Sequence, residues 1–159
     1  MAKKETKPAG TKETITLTNG QIEMMLFNQA FSNAMKKQFP FKVNYWLGRI
    51  LDKLKHLAEP YQKEVNAVID KYAETETGKD GEEKPKRRPD GNIVWGKNEK
   101  AAGDALKELR EIEVDLGFHK IELDLDALET YYADLPAADK KTIPAPDDLA
   151  MLMPFFKDV

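Results

Sequence analysis

FKVNYWLGRILDKLKHLAEPYQKEVNAVIDKY, residues 41 to 72, carries an apolar pattern straight through a proline. The apolar positions are Val43, Leu47, Ile50, Leu54, Leu57, Tyr61, Val65, Val68 and Tyr72. Their steps are 4, 3, 4, 3, 4, 4, 3, 4, which is helical spacing throughout. As far as Tyr61 it is a heptad seam, and the extra step of four at Val65 is a stutter. Pro60 sits where the phase changes. Proline removes the hydrogen bond to the carbonyl of His56 and crowds that turn. The pattern therefore predicts one long helix, kinked at Pro60 and not ended there. At 1.5 Å per residue it is about 48 Å long, more than the roughly 30 Å expected across a compact domain of this length.

The elements around that helix are shorter. Residues 1–12 are polar and predict a flexible arm. Ile15 and Leu17 alternate with Thr14, Thr16 and Thr18, as a strand requires. Thr18 and Gln21 are spaced as a capping box for a first helix reaching to about Lys37. Pro40 holds Phe39 out of helical geometry before the long helix starts. Residues 74–91, ETETGKDGEEKPKRRPDG, lack any large apolar side chain and predict a mobile charged loop. NIVWG at 92–96 predicts a short strand, and Asn98 a cap for a helix carrying Ala102, Ala105, Leu106, Leu109 and Ile112. EVDLG at 113–117 predicts a bend or a short extended piece.

HKIELDLD at 119–126 alternates as a half-buried strand, with Asp126 capping a short helix through Tyr132. Asp147 and Asp148 suit the N-terminal end of a short C-terminal helix through Leu149, Met151, Leu152 and Met153, ended by Pro154, beyond which Phe155 and Phe156 seal the edge of a core. The expected fold is α+β and mostly helical. It is a long helical hairpin with a small antiparallel sheet and a short C-terminal helix, in a single domain over residues 13–159.

Composition narrows function by exclusion. The chain has 159 residues, enough to bury roughly 70% of its unfolded surface. It has no cysteine, so disulfides and cysteine-ligated metals are excluded. Net charge is -3, unlike the basic excess of a dedicated nucleic-acid binder. The N-terminus has no apolar segment of secretory type, and no stretch approaches the about 20 apolar residues of a membrane span. A cytoplasmic protein without a membrane partner is expected.

No catalytic pattern stands out. Neither GxGxxG nor GxxxxGK[ST] occurs, and TGKD at 77–80 lacks the upstream glycine. His56 and His119 lack the companions of a metal motif, so no metal or cofactor is expected. Ser32, the only serine, has no nucleophile elbow around it. Glu122 and Asp124 fall on the polar side of the expected strand, where solvent accounts for them.

The order of features also carries a resemblance. FPFKVNYWLGRILDKL leads into a helix ending IDKYAE; a Gly/Lys/Asp-rich loop, a DGN turn and IELDLDAL follow, then PAPDDLAMLMPFF. From about Thr14 onward this resembles a family of small tailed-phage and prophage proteins of unassigned function. The resemblance implies a late-gene setting of assembly factors, chaperones and minor structural proteins, in the host cytoplasm or on the virion.

The expected function is non-enzymatic, through contacts with another protein or with a second copy. The candidate surface is the apolar stripe of the long helix: Val43, Trp46, Leu47, Ile50, Leu54, Tyr61 and Val65. The alternative is a nucleic-acid-associated factor using the basic arm and KPKRR, with Lys84, Lys86, Arg87 and Arg88 as phosphate contacts. An enzyme with a noncontiguous acidic site is the third option.

Overall fold

The computed structural model of the chain describes residues 13–157. The expected arm at 1–12 lies outside them. The fold is α+β and mostly helical. Its helices are α1 (Asn19–Phe27), α2 (Gln29–Met35), α3 (Phe41–Tyr72), α4 (Glu99–Glu111), α5 (Leu125–Ala133) and α6 (Pro146–Leu152). Its strands are β1 (Thr14–Thr18), β2 (Thr75–Thr77), β3 (Glu83–Pro85) and β4 (Glu113–His119). β1 pairs with β4, and β2 with β3.

α3 runs unbroken from Phe41 to Tyr72 with Pro60 inside it. The proline therefore does not end the helix. Val43, Leu47, Ile50, Leu54 and Tyr61 are buried, while Leu57, Val65, Val68 and Tyr72 are half-buried. The stripe read from the spacing is thus the buried face.

Where one domain was expected, the contacts group into two compact units. Among the described residues, the first takes 13–16, Gln29–Ile50 and 115–157; the second takes Leu17–Asn28 and Leu51–Val114.

In the first unit α2 packs on α6. Phe31 meets Phe155 edge to face at 6.0 Å, and Phe39 meets Phe156 at 6.2 Å. All four rings are buried, as are Ala34 and Leu152, so PFF does reach the core. Gln38 knits the loops together. Its backbone N–H donates to the Thr142 carbonyl (2.8 Å), its amide donates to the Tyr131 hydroxyl (3.1 Å), and its carbonyl accepts from the Thr142 hydroxyl (2.9 Å). At the start of α6 the Asp148 carboxylate accepts from the Ala145 N–H (2.8 Å), and Lys37 lies 3.6 Å from it. Ile121 forms a parallel bridge with Phe156.

In the second unit the Thr18–Gln21 capping box is present at the head of α1. α1 packs on α4. Gly20 allows the close approach, since a Cβ there would meet Arg110 at 3.3 Å. The buried Asn19 donates from its side chain to the Leu109 carbonyl (3.0 Å) and from its backbone to the Ile112 carbonyl (3.0 Å). It thereby satisfies acceptors at the end of α4 that the helix itself leaves open. Nothing in the apolar pattern marks Asn19, because the role depends on α4.

Several expectations are corrected. The first helix is broken at Asn28, which is extended (φ -89°, ψ 117°) and bonds back to the Met25 carbonyl. A one-residue break hardly disturbs helical periodicity, so the pattern hides it. Ile22 on one side serves the second unit, and Phe31 and Ala34 on the other serve the first.

The segment 74–91 is not a plain loop. β2 and β3 pair antiparallel, with Thr75 opposite Pro85 and Thr77 opposite Glu83. Glu74, Lys86 and Val94 then close a ring of three backbone hydrogen bonds of 2.7 to 2.9 Å. Backbone pairing needs no apolar side chain, so composition did not reveal it. Ile93 makes only a bridge to Arg87, in place of the expected NIVWG strand. Asn98 makes no side-chain cap for α4; its amide donates to the Tyr72 carbonyl (3.0 Å), closing the C-terminal end of α3.

The strand expected at 119–126 lies earlier, at β4, where Val114, Leu116 and Phe118 alternate inward. The helix that follows is capped by Asp124, which accepts from the Ala127 N–H (3.0 Å), and Asp126 sits in its first turn. A capping carboxylate stops the alternation that IELDLD would otherwise extend.

Candidate functional site

A groove of about 580 Å³ opens on the first unit, within the size range of ligand sites. Its floor is one face of α3, where Lys42, Trp46 and Arg49 follow one another at steps of four and three. β4 supplies Phe118 and His119, and Lys120 and Ile121 continue from it. Trp46 is 38% exposed and packs edge-on against Phe118, with ring centres 6.1 Å apart; Tyr45 packs on its other flank at 5.3 Å. Gly117 takes a positive φ of 71° beside the groove, with its N–H held by the Asp115 carboxylate at 2.7 Å. A side chain at that position would be strained.

The charges of the groove are unequal. Lys42, Arg49, Lys120 and Lys157 face two carboxylates, Glu13 and Glu122. Lys120 pairs with Glu13 at 3.0 Å, and Lys157 with Glu122 at 3.3 Å. Among the described residues Lys42 and Arg49 have no ion-pair or hydrogen-bond partner, and both are exposed. Neither was singled out in the sequence. The signal was present in the four-and-three spacing around Trp46, but its meaning depends on β4 lying alongside.

The residues expected as an interaction surface fall differently. Val43, Leu47, Ile50, Leu54 and Tyr61 are buried within this chain, so they cannot present a docking face while the fold is intact. Heptad spacing does not distinguish a stripe that meets a partner from one that meets its own chain. Trp46 stays accessible and Val65 half-buried. The exposed large apolar residues lie elsewhere. On α3 they are Phe41, 86% exposed, and Tyr45; on α1 they are Phe27, 81% exposed, and Met24; Ile112, Leu125, Met151 and Met153 are exposed further along the chain. Phe27 borders a small apolar cleft of about 230 Å³ with Leu26, Ala58 and Gln62.

The expected phosphate contacts are partly engaged. Lys84 pairs with Asp80 at 2.8 Å, which holds that exposed carboxyl below its ordinary pKa. Arg87 donates to the Gly91 carbonyl at 2.9 Å. Arg88 lies near Asp90, whose carboxyl is held low first by the Asn92 N–H and to a lesser extent by Arg88. Lys86 is exposed, with its backbone in the ring described above.

Tyr61 donates to the Glu23 carboxylate at 2.9 Å, and Arg110 lies 3.7 Å from the same carboxylate. Burial, followed by Glu23, raises the Tyr61 pKa. This trio joins α1, α3 and α4 within the second unit and is structural. Tyr132 is pushed up to about 12, first by burial and then by Tyr131, and its buried hydroxyl has no hydrogen-bond partner among the described residues. His56 is exposed on α3, and His119 borders the groove. Among the described residues no group of three or more His, Asp or Glu is placed to hold a metal ion. No helix among them is long and apolar enough to cross a membrane.

Comparison with protein families, curated proteins and solved structures finds no match to this chain.

Proposed function

We propose that this is a non-enzymatic protein that acts through contacts with other protein surfaces. One observation carries the reading. Among the described residues the two most exposed large apolar side chains, Phe41 and Phe27, each have an exposed apolar neighbour at helical spacing: Met24 lies three before Phe27 on α1, and Tyr45 four after Phe41 on α3. Such pairs lie side by side on a helix and form patches, whereas scattered exposed apolar residues need no explanation. Covering each patch with a partner removes it from water, at about 25 cal/mol per Å². Partner and second copy both satisfy this chemistry.

The test is site-specific photo-crosslinking in the producing cell, with a benzoylphenylalanine at position 27 or 41 and at the exposed position 63 as control. Discrete protein adducts from 27 and 41, insensitive to nuclease, are expected. Adducts no more abundant than at 63, or lost with nuclease, would overturn the reading. The nucleic-acid alternative is weakened by the prior engagement of Lys84 and Arg87. The phage or prophage setting, and with it a host-cytoplasmic or virion location, rests on the sequence resemblance and is tested by the genes flanking this one.

A further inference from the structure

We propose that the groove on the first unit receives a short acidic segment of a partner protein, with one apolar side chain set between two carboxylates. The inference rests on the protein-contact reading and names the chemistry of the partner. Lys42 and Arg49 are seven residues apart on α3, a rise of about 10 Å. They are the cations of the groove with no partner among the described residues, since Lys120 and Lys157 are matched by Glu13 and Glu122. Trp46 lies between them on the same face, with part of its ring open. Alternate residues of an extended segment share a face at about 3.4 Å per residue, so carboxylates four apart, about 13 Å, come within reach of the long side chains of Lys42 and Arg49, with one side chain between them on the same face. The side chain between them then lies on Trp46.

Charge decides for a peptide over a nucleic acid. Glu13 and Glu122 neutralise Lys120 and Lys157, which leaves two unmatched cations, too few to follow a phosphate backbone charged at every nucleotide, and the chain's net -3 opposes such a polyanion further. A segment with two discrete carboxylates meets the two free cations and avoids the rest. The chain's own residues 1–12 have the wrong sign, with Lys3, Lys4, Lys7 and Lys12 against Glu5.

The test titrates the full chain, labelled with nitrogen-15, with an acetylated and amidated pentapeptide that has acidic residues at its two ends, phenylalanine at its centre and alanine at the two positions between. The indole N–H signals of Trp46 and Trp95 are the readout. The Trp46 signal is expected to shift while that of Trp95 stays. The same peptide with amides in place of its acids, and the K42E/R49E chain with the original peptide, are each expected to bind at least about tenfold more weakly. Lys42 and Arg49 are exposed, so the variant keeps the fold, and K42Q/R49Q repeats the test without charge reversal. No Trp46 shift at millimolar peptide, equal binding of the amide peptide, or undiminished binding by both variants would each overturn the proposal. So would tighter binding of a five-nucleotide oligothymidylate, which would assign the groove to nucleic acid. If the peptide fails while crosslinks form at positions 27 and 41, this inference falls and the protein-contact reading stands.

Discussion

Replacing Pro60 by alanine is expected to make the second unit more stable. Pro60 is exposed within α3, so the ring contributes little packing. Proline inside a helix costs about 3 kcal/mol relative to alanine, through the missing N–H and the crowded carbonyl of the preceding turn. Alanine restores a donor to the His56 carbonyl. Against this, alanine frees the unfolded chain and returns about 0.4–1 kcal/mol. Local relaxation around Pro60 takes up a further part of the helix penalty. The net expectation is a gain of about 1–2 kcal/mol, equivalent to about 2–8 °C in melting temperature for a chain of this length. Urea unfolding followed by Trp95 fluorescence measures it, because Trp95 is in the second unit and Trp46 in the first. The midpoint should rise with an unchanged slope. Tyr61, the next residue, is buried and bonded to Glu23. If P60A instead lowers the midpoint, and Y61F added to it costs nothing further, the reasoning is refuted. The proline would then be what aims Tyr61 at Glu23, and its geometry would be required where we treat it as tolerated.

Two adjacent tyrosines should respond with opposite sign. Tyr132→Phe removes a buried hydroxyl without a partner and should be neutral or stabilising by up to about 1 kcal/mol, whereas Tyr131→Phe takes the acceptor from the Gln38 amide and should cost about 1 kcal/mol, both read by thermal melts. The pKa of Tyr132 is raised in the folded chain, so its contribution is intact below pH 10 and is lost as pH rises from 10 through about 12. Alkaline melts should therefore show a loss of stability in that window that Y132F lessens. Asn98→Ala leaves the Tyr72 carbonyl without its donor and should cost about 1 kcal/mol, with earlier amide exchange in the last turn of α3. Phe155→Ala opens the core of the first unit and should cost about 3–5 kcal/mol, lowering the transition reported by Trp46.

Periodicity was enough for the elements whose structure depends on local chemistry. α3 is legible from its 4-and-3 steps, β1 from its alternation, and the Thr18 box and the Asp148 turn from side chains that bond within four residues. These are short-range interactions, so the residues that make them are visible together in the chain. Most of what remained hidden depends on residues distant in sequence or on backbone groups that leave no side-chain signature. Asn28 breaks a helix whose two halves belong to different units. Asn98 closes the end of α3 rather than its own helix. β2 and β3 pair through backbone groups that every residue carries. Whether Leu47 and Leu54 meet a partner or their own chain is a tertiary matter, because apolar spacing encodes that a face is buried and not by what. The groove is of the same kind: Lys42, Trp46 and Arg49 share a face by helical geometry alone, and they border a site only because β4 lies beside them, a juxtaposition that no local rule contains.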